Sequence, residues 1–422
     1  MSTVAETALL PRLLRGVSFR GAAQLDRHLA EHGPLPSRSE LDAAALLSAV
    51  ERAGLRGRGG AAFPTALKMR AVRSARGQPI VVANGSESEP MSAKDALLLH
   101  ELPHLVLDGA ALAARAVGAT QVIVAYEGQN RDTQISLEHA IKQRRAAHAD
   151  AVEFEVFAAA EKFLTGQETS LISQINGGPA LPTFIPPRPT ERGVRRRPTL
   201  VQNVETLAHL ALIARRGADW YRQLGSDEEP GSTLVTLAGA VGAPGVYEIE
   251  LGTPLASLLE AADGRRGEIA GLLIGGYFGS WLPAALASDV ELSNAWLRAH
   301  GASLGCGVIV ALPAGACPVA EVVRVAIYLA TETANQCGPC VHGSAALART
   351  LHAIALGRTP AGAGADLRRW TKTLPGRGAC HLPDGLSRFV ATALKTFRRQ
   401  FEEHARGGPC PLCAAEGIMV IP

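Results

Sequence analysis

The chain has few charged residues, few aromatic residues and no long uninterrupted apolar run. Of its 422 residues, 19% are charged and 5% are aromatic, and the formal net charge at pH 7 is +3. So small a charge argues against nucleic acid or an anionic membrane as the main partner. The longest apolar stretch, residues 271–287, is interrupted by glycines and by Pro283. We therefore expect no membrane span.

Cysteine is also scarce, and its count is odd. Seven cysteines spread over a chain of this length do not form the disulfide framework of a small secreted domain. The N-terminal residues lack the continuous apolar core of a signal peptide. We therefore expect a cytoplasmic protein, and its length predicts two to four domains.

Three cysteines near the C-terminus are the most informative residues. Cys337 and Cys340 are separated by two residues, and Cys380 follows farther along, among helical patterns. Thiolates that converge in this way are ligands for iron–sulfur clusters. The same letters, Cys-Gly-Pro-Cys, also spell the redox motif of thioredoxins, but that motif needs a strand before it, and residues 319–333 have helical spacing. Buried structural cysteines are the third interpretation.

The organisation of the chain changes near residue 230. Up to about residue 228, short apolar strands alternate with helices, which predicts the α/β fold class with a largely parallel, Rossmann-like sheet. Beyond it, the order strand, strand, helix, strand predicts a β-grasp module, and a helical bundle follows. The predicted parts are a lead-in (1–45), the α/β domain (46–228), the β-grasp domain (229–304), the bundle (305–404), whose last helix covers 386–404, and a tail (405–422).

A glycine-dense loop opens the α/β domain. Gly54, Gly57, Gly59 and Gly60 allow backbone N–H groups to approach a phosphate closely, and Arg56, Arg58 and Lys68 add positive charge nearby. A helix precedes this loop, so it is not the dinucleotide fingerprint, which follows a strand. We favour a phosphate-binding loop of another design, and a structural turn is the alternative.

Polar and acidic residues follow the first predicted strand, residues 80–83. Asn84 to Pro90 stand at the carboxyl end of this strand, where α/β sheets bind their ligands. Glu87 and Glu89 can hydrogen-bond the hydroxyls or ring nitrogens of a cofactor. A solvated loop is the alternative for such a run on its own.

Several separate segments resemble the flavin-binding 51-kDa subunit of respiratory complex I, in the order of that family. Diaphorase subunits of NAD-linked hydrogenases and formate dehydrogenases share its architecture. The similar segments are Gly54 to Lys68, Asn84 to Pro90 with Lys94-Asp95, Phe163 to Thr169, Pro198 to Thr206, and the region of Cys337, Cys340 and Cys380.

The resemblance implies a flavo-iron–sulfur oxidoreductase subunit. A hydride from a nicotinamide nucleotide would reduce FMN, and single electrons would leave through a [4Fe–4S] cluster to a ferredoxin-like or quinone-linked acceptor. Phe63, Glu168 and Arg188 would contact the nucleotide, with Glu168 at the reacting centre. The implied FMN contacts are Gly57, Gly59, Gly60, Lys68, Asn84, Glu87, Glu89, Gly166, Gln202 and Asn203.

The chain departs from this family on the nucleotide side. Ala71 stands where the family has phenylalanine, Ile185 replaces a lysine, Arg188 replaces a second phenylalanine, and Gln167 replaces a glutamate. Loss of stacking rings and of a charge contact predicts weak NADH binding, with a smaller preference over NADPH than is usual.

The chain also departs from the family at the cluster. Ala334 occupies the position of the first cysteine, so a fourth ligand must come from the tail (Cys410 or Cys413), from His381 or His342, or from outside the protein. We favour Cys413, on the expectation that the tail folds back along the last helix. A [3Fe–4S] cluster, a flavin-only diaphorase and a non-catalytic scaffold subunit are the alternatives. Cys306 and Cys317 are expected to pack in the interior.

Overall fold

The computed structural model describes residues 11–18 and 24–422, so part of the predicted lead-in lies outside it. The helix that leads into the glycine loop shows how local chemistry sets its ends. The Asp42 carboxylate accepts hydrogen bonds from the first backbone N–H groups, and Gly54 adopts the left-handed conformation that ends a helix. The first helices are α1 (Leu25–His32), α2 (Ala43–Ala53) and α3 (Thr65–Ser74).

The first half of the chain forms a parallel sheet of four strands with helices on its faces. The strand order is β3-β2-β1-β4, and all three pairings are parallel. The fold class predicted from the alternating pattern is therefore confirmed at the level of an α/β fold. The elements are β1 (Ile80–Gly85), α4 (Lys94–Glu101), α5 (Pro103–Val117), β2 (Gln121–Glu127), α6 (Arg131–Ala146), β3 (Glu153–Ala159), α7 (Glu168–Ile175), β4 (Thr199–Asn203), α8 (Val204–Arg216) and α9 (Ala218–Tyr221).

The pairing register of β1 and β4 brings two polar segments together at one edge of the sheet. Ala83 lies beside Gln202, and Asn84 lies beside Asn203, so two segments far apart in sequence end side by side. The β4 strand was not predicted as an element, although its residues were recognised as a motif. Because parallel strands end at the same edge, the polar residues after β1 and β4 meet there.

A second, mixed sheet follows with the strand order β6-β5-β9-β7-β8. Its central strand, β9, pairs in parallel with β5 and antiparallel with β7. The strand β9, which follows residue 304, therefore pairs within this sheet. The elements are β5 (Ser232–Gly239), β6 (Gly245–Glu250), α10 (Leu255–Ala261), β7 (Ile269–Ile274), β8 (Ser280–Pro283), α11 (Asn294–Ala299) and β9 (Val308–Pro313).

The remainder of the chain is helical. The single helix predicted over residues 386–404 is two helices, which meet at Phe397, a buried ring that contacts Trp281. In the first half of the chain, Leu102 separates α4 from α5, which begins at Pro103. The bundle contains α12 (Pro318–Thr331), α13 (Ala345–Ala355), α14 (Ala363–Thr373), α15 (Leu382–Thr396) and α16 (Arg398–Gly407).

No single helix in residues 11–18 and 24–422 is long and apolar enough to cross a membrane. One sharply bent pair, α4 with α5, reaches the required length and composition only when the two are taken together.

Candidate active site

A cavity of about 650 Å³ lies at the edge of the parallel sheet where β1 and β4 end. It brings together all the predicted FMN contacts and two of the three predicted nucleotide contacts, Phe63 and Glu168. Arg188 is not among the lining residues, and its side chain is exposed on the loop before β4. The structure therefore gathers these residues into one site but leaves Arg188 outside it.

The glycine loop lines one side of this cavity. The two ends of the loop are joined by a hydrogen bond from the Gly57 N–H to the Phe63 carbonyl at 2.9 Å. Gly60 has φ +104°, a conformation that other residues adopt only with strain. A Cβ atom at Gly59 would lie 3.4 Å from the Asn203 side chain, so the loop sits directly on the end of β4.

Positive charge in the cavity comes from lysines rather than from the arginines of the loop. Arg58 lines the cavity, but its guanidinium donates to two partners outside the lining, the Tyr221 hydroxyl at 2.9 Å and the Ser232 carbonyl at 3.0 Å. Lys68 lines the cavity and forms an ion pair with Glu168 across it. The sequence suggested a phosphate-binding role for all three cations near the loop, and these hydrogen bonds of Arg58 correct this for that residue.

A buried polar network supports the strand ends. The Asn84 amide donates to the Gly166 carbonyl at 3.0 Å, and the Asn203 amide donates to Asp95. Lys94 is buried and pairs with Asp95 at 2.7 Å and with Glu205 at 2.9 Å. These bonds hold the side chains that face the cavity in defined orientations.

Glu87 lines the cavity, but its carboxylate is engaged elsewhere. It accepts hydrogen bonds from the backbone N–H groups of Asp95 and Ala96, at the first turn of α4, and from the Ser92 hydroxyl. A carboxylate is stabilised at a helix N-terminus by the unpaired N–H groups and by the helix dipole. Glu87 therefore both lines the cavity and stabilises the N-terminus of α4.

Glu89 is the cavity carboxyl with a free oxygen. Its Oε2 accepts a hydrogen bond from the Tyr277 N–H at 2.9 Å, while Oε1 is buried without a partner among the described residues. Although the residue as a whole is partly accessible, burial of the carboxyl group raises the pKa of Glu89 to about 8. At neutral pH the group is therefore largely protonated and can donate a hydrogen bond into the cavity.

We expect Glu89→Gln to flatten the dependence of stability on pH in the flavin-free protein. The folded chain keeps a proton at Glu89 that the unfolded chain releases above a pKa of about 4.5. The free energy of unfolding should therefore fall as the pH rises from about 5 to about 8, at about 1.4 kcal/mol for each pH unit spanned. Urea unfolding at several pH values measures this slope. The exposed Glu153→Gln variant should keep it, and an equal slope in Glu89→Gln would contradict the assignment.

The other walls of the cavity come from parts of the chain that sequence reasoning did not connect with it. Residues at the end of β7 and before β9 approach from the second sheet, and residues at the start of α15 approach from the bundle. No local motif marks them, although Gly275 and Gly305 each have a positive φ that permits the close approach. The lining from these two parts comprises Gly275, Phe278, Ser303, Gly305, Cys306, His381, Leu382, Asp384, Gly385 and Arg388.

The three predicted cluster cysteines come together at the end of α12. The interaction with the neighbouring Cys340 lowers the pKa of Cys380 to about 6. The neighbouring Cys380, burial and the neighbouring Cys337 together raise the pKa of Cys340. A helix precedes Cys337, and a helical turn, Pro339–Ser344, contains Cys340, so the strand that the thioredoxin motif requires is not there. Cys340 thus interacts with both Cys337 and Cys380, which fits three thiolate ligands arranged around an iron–sulfur cluster.

Cys413 does not join these three cysteines, and the prediction that it supplies the fourth ligand is wrong. Its sulfur lies 3.5 Å from Cys317 and 3.3 Å from His404 Nε2. Cys317 caps the N-terminus of α12, whereas Cys337 follows its C-terminus. A helix of 14 residues is about 21 Å long. The cysteine cluster that contains Cys317 and Cys413 and the cluster that contains Cys337 therefore lie at opposite ends of α12. Cys317 is buried, but as a member of this second group rather than as an isolated apolar residue.

Two family models match the chain. One, described as the Nuo51 FMN-binding domain, matches residues 50–212, and the other, described as the NADH-ubiquinone oxidoreductase-F iron-sulfur binding region, matches residues 320–404. The first covers the glycine loop and the strand ends, and the second covers Cys337, Cys340 and Cys380.

Individual relatives agree with these matches. The F subunit of the NADH-quinone oxidoreductase of Streptomyces coelicolor is 31% identical over 389 residues, which cover 88% of this chain and 85% of that protein. The F 2 subunit of the Rhizobium meliloti enzyme is 30% identical over 383 residues, with coverages of 87% and 90%. An NAD+-reducing [NiFe]-hydrogenase in the air-oxidized state contains a chain that superposes with a TM-score of 0.82 at 31% identity, over 91% of this chain and 68% of that one. The family predicted from the motifs is thereby confirmed: the chain belongs to the family of the F subunits of NADH-quinone oxidoreductases.

Proposed function

We propose that this chain is the electron-input subunit of an oxidoreductase, in which NAD(P)H reduces FMN and single electrons leave through an iron–sulfur cluster. The observation that carries the proposal is the composition of the cavity wall. The glycine loop and the strand ends form one side, and the residues that directly follow Cys380 form another. The flavin site and the cluster site would thus be adjacent, which suits short-range electron transfer.

FMN fits the residues that line the cavity. The phosphate would bind above Gly59 and Gly60, with Lys68 as its counter-charge. This lysine lines the cavity, whereas the Arg58 guanidinium is engaged outside the lining. The unpartnered Oε1 of Glu89 offers a hydrogen bond to the ring system. When bound, FMN supplies the conversion of a two-electron hydride transfer into one-electron steps. The protein's part is to orient the ring, to keep Glu89 protonated and to exclude water.

The nucleotide would enter beside Phe63 and Glu168. Phe63 is 53% exposed at the edge of the cavity, where its ring is free to stack on a nicotinamide. Glu168 can exchange its pairing with Lys68 for a hydrogen bond to the nucleotide once the FMN phosphate occupies the lysine. Arg188 is exposed and lies outside the cavity lining, so its proposed contact with the nucleotide is not held in place in advance, which agrees with weak nucleotide binding.

The cluster would bind to Cys337, Cys340 and Cys380. Because the tail cysteines lie at the other end of α12, His381, His342 and a ligand from outside the protein remain as sources of the fourth bond. His381 directly follows Cys380 and lines the cavity, and its Nδ1 lies 3.3 Å from Asp384. The cluster supplies one-electron storage between the flavin and an acceptor, and we propose a ferredoxin-like or other iron–sulfur protein as that acceptor.

We also propose that the chain consists of a flavin domain, a β-grasp module and a cluster bundle. Five strands in the order β6-β5-β9-β7-β8, with β9 parallel to β5, support a β-grasp module that continues through residue 313. A Rossmann-like flavin domain and a cluster bundle would flank it. Seven cysteines, none of them disulfide-bonded in the described chain, support a cytoplasmic location.

Anaerobic stopped-flow reduction tests the function. The protein reconstituted with FMN should bleach near 450 nm on mixing with NADH, slowly and with a modest preference over NADPH, and an EPR signal from the reduced cluster should follow. A chain that binds FMN but is bleached by neither nucleotide would refute the donor assignment. Bleaching without any EPR signal or bound iron would instead identify a flavin-only diaphorase.

A further inference from the structure

A second group of metal-binding side chains lies at the far end of α12 from Cys337. We propose that Cys317, His404, Cys410 and Cys413 bind one structural Zn²⁺ ion, which is separate from the iron–sulfur site. The four ligand atoms lie within 4.8 Å of one another. They come from three places in the sequence: the start of α12, the end of α16 and the tail.

The distances within this group match a tetrahedron around one ion. With Zn–S bonds of about 2.3 Å and Zn–N bonds of about 2.0–2.1 Å, the edges of a tetrahedral site are about 3.8 Å between sulfurs and about 3.6 Å between sulfur and nitrogen. The Cys410–Cys413 separation is 3.7 Å, and the Cys317–Cys413 separation is 3.5 Å. His404 Nε2 lies 3.5 Å from Cys317 and 3.3 Å from Cys413.

The histidine is oriented as a metal ligand. Its Nδ1 lies 2.8 Å from the Gln400 carbonyl oxygen, which can only accept a hydrogen bond. The proton therefore sits on Nδ1, and the lone pair of Nε2 faces the sulfurs of Cys317 and Cys413. Zinc-bound histidines are held in this way by a backbone carbonyl or a carboxylate on the second nitrogen. His404 is 3% exposed and Cys317 is 2% exposed, so the site has a dry inner side.

The ligand set and its size select the kind of metal. Three cysteines and one histidine, two of the cysteines in a Cys-x-x-Cys turn, form a ligand set that structural zinc sites use. A four-iron cluster holds its thiolates farther apart, since its own iron and sulfide atoms lie between them. The three thiols release their protons to solvent when the ion binds, and no electron is transferred.

The ion would attach the C-terminal tail to α12 and α16, and the residues beyond it contact both the helical bundle and the surroundings of the cavity. Beyond Cys413, the backbone N–H groups of Ile418 and Met419 donate to the Glu321 carboxylate at 3.0 and 2.9 Å. The Val420 N–H contacts the Met91 sulfur at 3.3 Å, and its carbonyl accepts from the Tyr277 hydroxyl. Tyr277 also donates its backbone N–H to Glu89, so the tail supports a wall of the flavin cavity.

Metal analysis of the full chain tests this inference. We expect one zinc per chain in addition to iron. Cys413→Ser should lose the zinc and keep the iron, whereas Cys337→Ser should lose iron and keep the zinc. Leu412→Ala, which changes the same turn without removing a ligand, should keep both metals. His404→Cys should retain zinc through a fourth thiolate, while His404→Ala should lose it.

Measurements on the wild-type protein test the zinc site without relying on variants that could misfold. Titration with an organomercurial should release one zinc per chain, detected with a chromogenic chelator, and protein grown with Co²⁺ should show the visible absorption of tetrahedral cobalt thiolate. Absence of zinc from the wild-type protein, or an unchanged zinc content in Cys413→Ser, would overturn the proposal. Iron at this site in place of zinc, or loss of cluster iron in Cys413→Ser, would also overturn it.

Discussion

Cys380→Ser is expected to stop electron flow out of the flavin while leaving reduction of the flavin by NADH intact. Cys380 precedes α15, the helix whose first residues line the cavity, and its pKa is lowered by the neighbouring Cys340. The cluster site has three cysteines here, so the loss of one leaves two thiolates, too few to hold a cluster. We expect bound iron and the EPR signal of the reduced protein to fall by more than about tenfold, since loss of even a supporting ligand contact costs metal sites 10–100-fold.

The acceptor assay separates the two halves of the reaction. Reduction of a ferredoxin-like protein should be lost in Cys380→Ser, whereas ferricyanide, which can accept electrons from flavin directly, should still be reduced. Cys410→Ser is the matched control, because this thiol lies with Cys317 and His404, away from the cluster cysteines. It should retain its iron and its EPR signal. Full iron content in Cys380→Ser would show that the cluster is bound elsewhere.

Gly60→Ala is expected to weaken flavin binding by about 5–150-fold. Gly60 has φ +104°, and a non-glycine residue in so sparsely populated a region costs about 1–3 kcal/mol. Space is not the obstacle, because the nearest atom to the added Cβ would be 3.8 Å away. Relief of the strain should shift the backbone N–H groups that face the phosphate. Fluorescence titration of the flavin-free protein with FMN measures the change in Kd.

Gly77→Ala provides a closely matched control. Gly77 has the same φ of +104°, and its added Cβ would lie 3.7 Å from Pro198. It precedes β1, so it stands at the opposite edge of the sheet from the cavity. Both variants should lose similar stability in urea unfolding, but only Gly60→Ala should lose affinity for FMN. Equal affinities in the two variants would remove the loop from the phosphate site.

The sequence alone was sufficient for the features that depend on local chemistry. The Asp42 cap and Gly54 set the ends of α2, and the glycines after it form the loop as expected. The alternation of apolar strands with helices predicted the parallel sheet, since a strand covered by helices on both faces is apolar along its length. The motifs also named most of the cavity residues, because polar residues just after a parallel strand face one edge of the sheet.

Only the tertiary structure decided which distant segments meet. Cys413 and Cys380 could both reach a common site as far as chain length is concerned, and it is the position of α12 between Cys317 and Cys337 that separates them. The short strand β9 was missed because a short apolar run has no periodicity that distinguishes strand from helix. The guanidinium of Arg58 is engaged for a similar reason: its partners, Tyr221 of α9 and Ser232 of β5, reach it only once these distant segments have packed beside the glycine loop. Burial and distance arise from this packing, and they decide which residues of a motif face a ligand.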